Sequence, residues 1–212
     1  SFATQVAPGA GASLTWTAPR AGTYLLESGT HPSIQGPMGL YGIVVVTTAP
    51  SGATPGTAYP AVGATPAITY NADIPLLLSE IDPIQNAAVA RAVTLPGFSE
   101  TTVWSGQAGG CGNAATPNSG NCYPPAVNYQ PLYYLVNGIA FDKASNVPAA
   151  AIKPSLLPVT PATGVSGTGT VLVRLVNAGL RMHVPAIVGS LTGAPAVPGI
   201  GLIAEDGNPL PG

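Results

Sequence analysis

Residues 22–46, GTYLLESGTHPSIQGPMGLYGIVVV, decide how the rest of the chain is read. The stretch reads as strand, loop, strand. Residues 22–26 are a short β-prone run leaving the turn Pro19-Arg20-Ala21-Gly22. Residues 41–46 are a second run, more apolar and rich in β-branched side chains, which suit a pleated, half-buried surface. Between them Glu27, Ser28, Thr30, His31, Gln35 and Met38 are set among Gly29, Pro32, Gly36, Pro37 and Gly39.

Composition points outward from that hairpin to the same class. The chain has 212 residues, 46% of them apolar, enough for a sizeable core. Only 7% are charged, against a usual ~25%, so disorder driven by charge is not expected. A surface this poor in charge suits burial against partners. The formal net charge is −2 with no basic run, which argues against nucleic acid, because phosphate binding needs clustered Lys and Arg. No uninterrupted apolar run reaches the length of a membrane span, about 18 residues. The 27 glycines and 24 prolines fall as punctuation between β-prone runs, the pattern of an all-β sandwich with many turns.

Taken in order, residues 2–6 and 13–17 are two further candidate strands, giving about four before residue 50. Four strands are half a sandwich, so residues 1–48 are expected to be the C-terminal half of a domain, and the chain a fragment beginning at an internal residue. Residues 49–69 carry Pro50, Pro55, Pro60 and Pro66 and read as an extended, stiff linker. Residues 70–212 are expected to form a second domain, incomplete at its C-terminus. Within it residues 73–81 (DIPLLLSEI) read as a buried strand. Asp82-Pro83 reads as an N-cap with proline at the first helical position, opening one helix over 83–94. Strands are predicted over 101–104, 132–136, 139–141, 168–176, 182–188 and 201–204, with tight turns at Asn137-Gly138 and Asp206-Gly207.

Five blocks resemble the multicopper oxidases, whose domains are cupredoxins. In that family the last two strands of a domain read roughly G-T-Y-x-Y-H-x-H, a loop, then M-x-G-x-x-x-V; here residues 22–46 follow the pattern, but Glu27-Ser28-Gly29 replaces the His-x-His. The second domain of the family carries D-x-P-L-x-L-x-[DE], matched by Asp73 to Glu80. It continues with a tyrosine before N-G-x-x-[FY], matched by Tyr129, Asn137, Gly138 and Phe141. Then come V-x-[VL]-R-[LF]-[VIL]-N-A-G, matched by Val171 to Gly179, and I-A-x-D-G, matched by Ile203 to Gly207. The variant is most similar to large bacterial metal-oxidising members. The resemblance implies cupredoxin-like Greek-key β-sandwiches, one partial and one nearly complete, with one short helix. It implies copper as cofactor of the whole protein, which would oxidise its substrate one electron at a time and reduce dioxygen to water.

The residues limit what this segment does in that scheme. A blue-copper centre needs a Cys thiolate and two His, usually with a weak axial Met, and the family's trinuclear cluster uses eight His. This chain has two His, His31 and His183, and no His-x-His; it is expected to build neither centre alone. His31 and Met38 are candidate metal ligands only together with absent segments; otherwise His31 caps a turn and Met38 plugs the sandwich end. Glu27 is a candidate for a hard cation, or a solvated loop residue. His183 is expected as a half-exposed strand residue bonded to backbone, Arg174 as a buried guanidinium serving turn carbonyls, and Asn177 as structural. Glu205 and Asp206 are explained by their turn.

Cys111 and Cys122 enclose ten residues of mostly Gly, Asn, Ala and Pro, with no nearby His or further Cys for a metal site. A disulfide is expected, worth roughly 3 kcal/mol in the chain-entropy model, and with it a periplasmic, cell-surface or extracellular location. No nucleophile elbow, Walker loop or dinucleotide fingerprint is present. Two functions are expected to compete. One is a catalytically inactive, copper-free scaffold packing other cupredoxin domains or segments that complete the half domain. The other is a surface or filament β-sandwich module that assembles with itself or a longer chain, by strand donation between chains.

Overall fold

The computed structural model describes residues 6–29, 32–94, 96, 129–140, 169–193 and 195–210. Strand β1 (Gly22–Glu27) and strand β2 (Tyr41–Val46) pair antiparallel in one unbroken register, Gly22 opposite Val46 and Glu27 opposite Tyr41. Their connection winds through the short helix α1 (Pro32–Gln35) and returns at Gly39, whose φ of 103° is a backbone state that a Cβ disfavours. The expected strand over 13–17 is not formed. Leu14 and Trp16 stand exposed and Ala18 turns the chain with φ 46°. β propensity reflects fit to a half-buried surface, and among the described residues no strand pairs with this run. The run 2–6 lies almost wholly outside the described residues.

The proline-rich stretch 49–69 is not an extended connector. It holds strand β3 (Gly56–Tyr59) and leads into strand β4 (Ile68–Tyr70), paired antiparallel. Pro55 and Pro60 flank β3 and Pro66 precedes β4, so each proline sits where its missing N–H interrupts no ladder. Ala58, Tyr59 and Tyr70 form a buried cluster, with Ala21, Ile68, Leu172, Ile203 and Ala204 packed around it.

Strand β5 (Ala72–Ile81) is the spine of the largest sheet. It is followed by helix α2 (Pro83–Ala92), strand β6 (Tyr133–Val136), strand β7 (Ile139–Ala140) and strand β8 (Val171–Asn177), in sheet order β7-β6-β5-β8. β6 pairs antiparallel with residues 78–81, whereas β8 pairs parallel with residues 72–78. A parallel pair cannot be joined by a hairpin, and β5 and β8 are separated in sequence by residues 82–170. The turn at Asn137 and Gly138 has φ 51° and 79°, the geometry of a two-residue hairpin of the primed type. Asn137 also stitches the turn to β5: its Oδ1 accepts from Leu77 N–H at 2.8 Å and its Nδ2 donates to Pro75 C=O at 3.0 Å.

The β1–β2 pair lies against this sheet, β1 near β8 and β2 near β5. The fold is therefore all-β, with open sheets in a sandwich-like arrangement. Two small hairpins follow, strand β9 (Leu191–Thr192) with strand β10 (Val197–Pro198), and strand β11 (Ala204–Glu205) with strand β12 (Asn208–Pro209). The strand expected over 182–188 is absent; Pro185 lacks a donor, Met182 and Val184 are exposed, and His183 is drawn elsewhere. Among the described residues no helix is long and apolar enough to cross a membrane.

Helix α2 starts as its sequence predicts. Asp82 Oδ1 accepts from Ile84 N–H at 2.9 Å and Gln85 N–H at 3.1 Å, and Oδ2 from Gln130 N–H at 2.9 Å. Ala88, Val89 and Ala92 pack on Ile34 of α1, while Ile84 is exposed. Burial alone would raise the Asp82 pKa, but three backbone donors outweigh it and hold the carboxyl below its ordinary value of 3.8. Asp82→Ala is expected to lower stability by about 1–2 kcal/mol at neutral pH. Because the folded pKa is depressed, the contribution of this ionised cap is full above the ordinary value and is lost as pH falls through the folded one. Urea unfolding at pH 7 and near pH 2.5 checks this: the gap between wild type and variant should narrow in acid.

Candidate functional site

Glu80 ends the apolar run of β5, one residue before the strand stops. It is 2% exposed, and a carboxylate so placed needs partners. Two separate parts of the chain supply them, residue 129 and the segment 180–183. Leu180 N–H donates to Oε2 at 3.0 Å, and the Tyr129 hydroxyl lies 3.5 Å from the same oxygen. His183 Nε2 is 2.6 Å from Oε1, with the ring nitrogen as donor and the carboxylate as acceptor. Burial, and then the nearby Glu80 charge, push the Tyr129 hydroxyl well above the usual tyrosine range, so it stays a neutral donor.

The backbone after β8 is shaped for this contact. Asn177 Oδ1 accepts from Gly179 N–H at 2.9 Å and its Nδ2 donates to Arg181 C=O at 2.8 Å, which folds residues 177–181 into a tight turn. A Cβ on Gly179 would collide with the Glu80 carboxylate. Arg181 Nη2 donates to the Tyr129 carbonyl, and Tyr134 meets the His183 ring edge-on at 6.3 Å. The expectation of a strand histidine bonded to backbone is thus corrected: His183 leaves no ladder and binds a buried acid. Charge in the apolar run 73–81 is the sequence signal that points to Glu80.

A second polar group lies where the two layers meet. Arg174 of β8 is 5% exposed. Its Nε donates to Asp73 Oδ2 at 2.8 Å and its Nη1 to Thr23 Oγ1 at 2.9 Å, with the guanidinium carbon 5.4 Å from the Tyr70 ring centre. Its partners are therefore a carboxylate, a hydroxyl and a ring, in place of the turn carbonyls expected. Nη2 is buried and has no partner among the described residues.

Of the expected metal ligands only Met38 is among the described residues. His31, Cys111 and Cys122 lie outside the described residues. Met38 is 43% exposed, on the turn after α1, and so does not plug the sandwich end. Glu27 is exposed at the end of β1. Among the described residues no three His, Cys, Asp or Glu side chains are grouped to hold a metal ion. Copper wants thiolate and imidazole donors; the one described imidazole, His183, has one ring nitrogen on Glu80. Glu205 and Asp206 stand in the β11–β12 turn, where Asp206 has φ 48° and Gly207 φ 73°.

Comparisons with protein-family models, with curated proteins and with solved structures found no match to this chain.

Proposed function

We propose that this chain is a copper-free scaffold segment of a secreted multicopper-oxidase-like protein. In that reading its sandwiches follow the cupredoxin Greek key and Cys111 pairs with Cys122 in an oxidising compartment. Other segments carry the coppers at which substrate is oxidised and dioxygen reduced. One observation carries the reading. Two blocks that resemble the family, 73–80 and 129–141, meet at the Glu80 carboxylate through Glu80 and Tyr129, and Gly179, which ends a third, leaves the space that the carboxylate fills. Residues shared with the family serve here as internal ties between strands, which is a scaffolding role.

Metal analysis of the purified chain is expected to find less than one copper per chain and no blue absorption band. Co-purification from its source should recover a longer, His-rich polypeptide. A stoichiometric blue copper on this chain alone would overturn the scaffold role.

A self-assembling surface module is the second reading, and a specific observation favours it. Met182, Val184, Val188, Leu191 and Leu202 stand exposed along one stretch after β8, an apolar display that soluble monomers rarely carry unpartnered. Native mass measurement showing a defined oligomer, with no copper-bearing partner, would select this reading.

A further inference from the structure

Asn137 lengthens the β5–β6 ladder with its side chain. The strand pairing ends at Leu78 opposite Val136. Beyond it Asn137 N–H donates to Leu77 C=O at 2.9 Å, and the carboxamide makes the next two bonds. Its Oδ1 accepts from Leu77 N–H and its Nδ2 donates to Pro75 C=O. The carboxamide thus stands where the next peptide group of a longer β6 would stand. Both of its heteroatoms are in use, although Asn137 and Gly138 are exposed.

This is also the only Asn-Gly in the chain. A glycine after asparagine has no Cβ to obstruct its nitrogen, so that nitrogen can reach the carboxamide carbon and close a succinimide ring. Two locks prevent this in the folded hairpin. Asn137 is left-handed, φ 51°, a conformation that turns the following nitrogen away from its side chain. The bonds to β5 then hold the carboxamide where it is. Both locks belong to the hairpin tip. β7 has two residues and, among the described residues, pairs on one side only. Short, exposed elements of this kind open locally at low free energy.

The geometry points to Asn137 as a site of spontaneous deamidation, gated by opening of the β6–β7 hairpin and made irreversible by its product. When the tip lifts from β5, Gly138 N attacks Asn137 Cγ. The N–Cγ bond forms, the Cγ–Nδ2 bond breaks, and ammonia leaves with the proton given up by Gly138 N–H. Water then opens the imide at either carbonyl, giving aspartate or, with the main chain rerouted through Cγ, isoaspartate. No enzyme, metal or partner takes part. Neither product restores the ties. An ionised aspartate is acceptor-only, so an oxygen in the Nδ2 position faces the Pro75 carbonyl, acceptor against acceptor. Isoaspartate adds a methylene to the backbone, and a two-residue turn has no room for it. Either product adds one negative charge to a chain of formal charge −2.

The test incubates the full chain at mildly alkaline pH, folded and in concentrated guanidinium chloride, and follows conversion by peptide mapping. In denaturant Asn137 is expected to convert before every other asparagine. In the folded chain it should convert about tenfold or more slowly. Ile139→Gly removes a β-branched side chain from β7 and should speed that native conversion several-fold. The aged chain should exchange its Leu77 amide about tenfold faster than the fresh one, because the carboxamide that held it is gone. If Ile139→Gly does not fold, Asn137→Asp, which carries the product's side chain, decides through the same amide. Earlier conversion at another asparagine, native conversion as rapid as in denaturant, native conversion unmoved by Ile139→Gly, or a Leu77 amide still protected in the aged chain or in Asn137→Asp would each overturn the proposal.

Discussion

Glu80→Ala is expected to lower unfolding free energy by about 3–5 kcal/mol, the combined cost of leaving the donors around a buried acid without their acceptor. The side chain of Glu80 is fully buried, whereas that of His183 keeps 21% of its exposure. Truncation leaves three donors facing a void: Leu180 N–H, the Tyr129 hydroxyl and His183 Nε2. Each buried donor left unpaired costs about 1–3 kcal/mol, and the imidazole, being partly wet, recovers the most. Glu80→Gln keeps the shape and one acceptor oxygen, so its loss should be about half as large. Gly179→Ala attacks the same contact from the other side, because its methyl group takes the space of the carboxylate. Overpacking of this kind typically costs about 1–3 kcal/mol. Urea unfolding reads all three variants, with an unchanged slope confirming that only stability moved. A loss under about 1 kcal/mol for Glu80→Ala would mean that water replaces the acid there and that the ties are dispensable.

How much of this was legible in the sequence depends on whether local chemistry or a distant partner decides each element. Asp82-Pro83 caps a helix by contacts within three residues, so α2 is readable to within two residues at its far end. Asn137-Gly138 fixes its own turn through positive φ, and the hairpin follows. Residues 13–17 have the alternation of a strand but, among the described residues, no paired neighbour, and alternation does not form a ladder alone. Residues 49–69 fail in the opposite sense. Proline density suggests a stiff connector, yet the prolines bracket β3 and β4, and burial of Tyr59 and Tyr70 holds the pair in place. The Glu80 cluster joins positions 49 to 103 residues apart in the chain. No periodicity encodes such a junction; the only local sign is a lone acid at the end of an apolar run.

Arg174→Ala is expected to cost about 2–4 kcal/mol, below the full range for a broken buried pair because the Asp73 side chain keeps 33% of its exposure and can turn to water. The guanidinium joins β8 to β5 through Asp73, to β1 through Thr23 and to β4 by a cation–π contact with Tyr70. Its loss therefore loosens the contact between the two layers as well as one ladder. Arg174→Lys should recover only part of the stability, since a single ammonium on a flexible stem cannot serve the Nε and Nη1 directions together. A double-mutant cycle with Asp73→Ala separates the terms. A coupling of about 1–3 kcal/mol is expected if the carboxylate and guanidinium act as one unit. A coupling near zero would assign the stabilisation to Thr23 and Tyr70. It would then be the packing of β1 and β4 on β8, and not the ion pair within the sheet, that holds the two layers together.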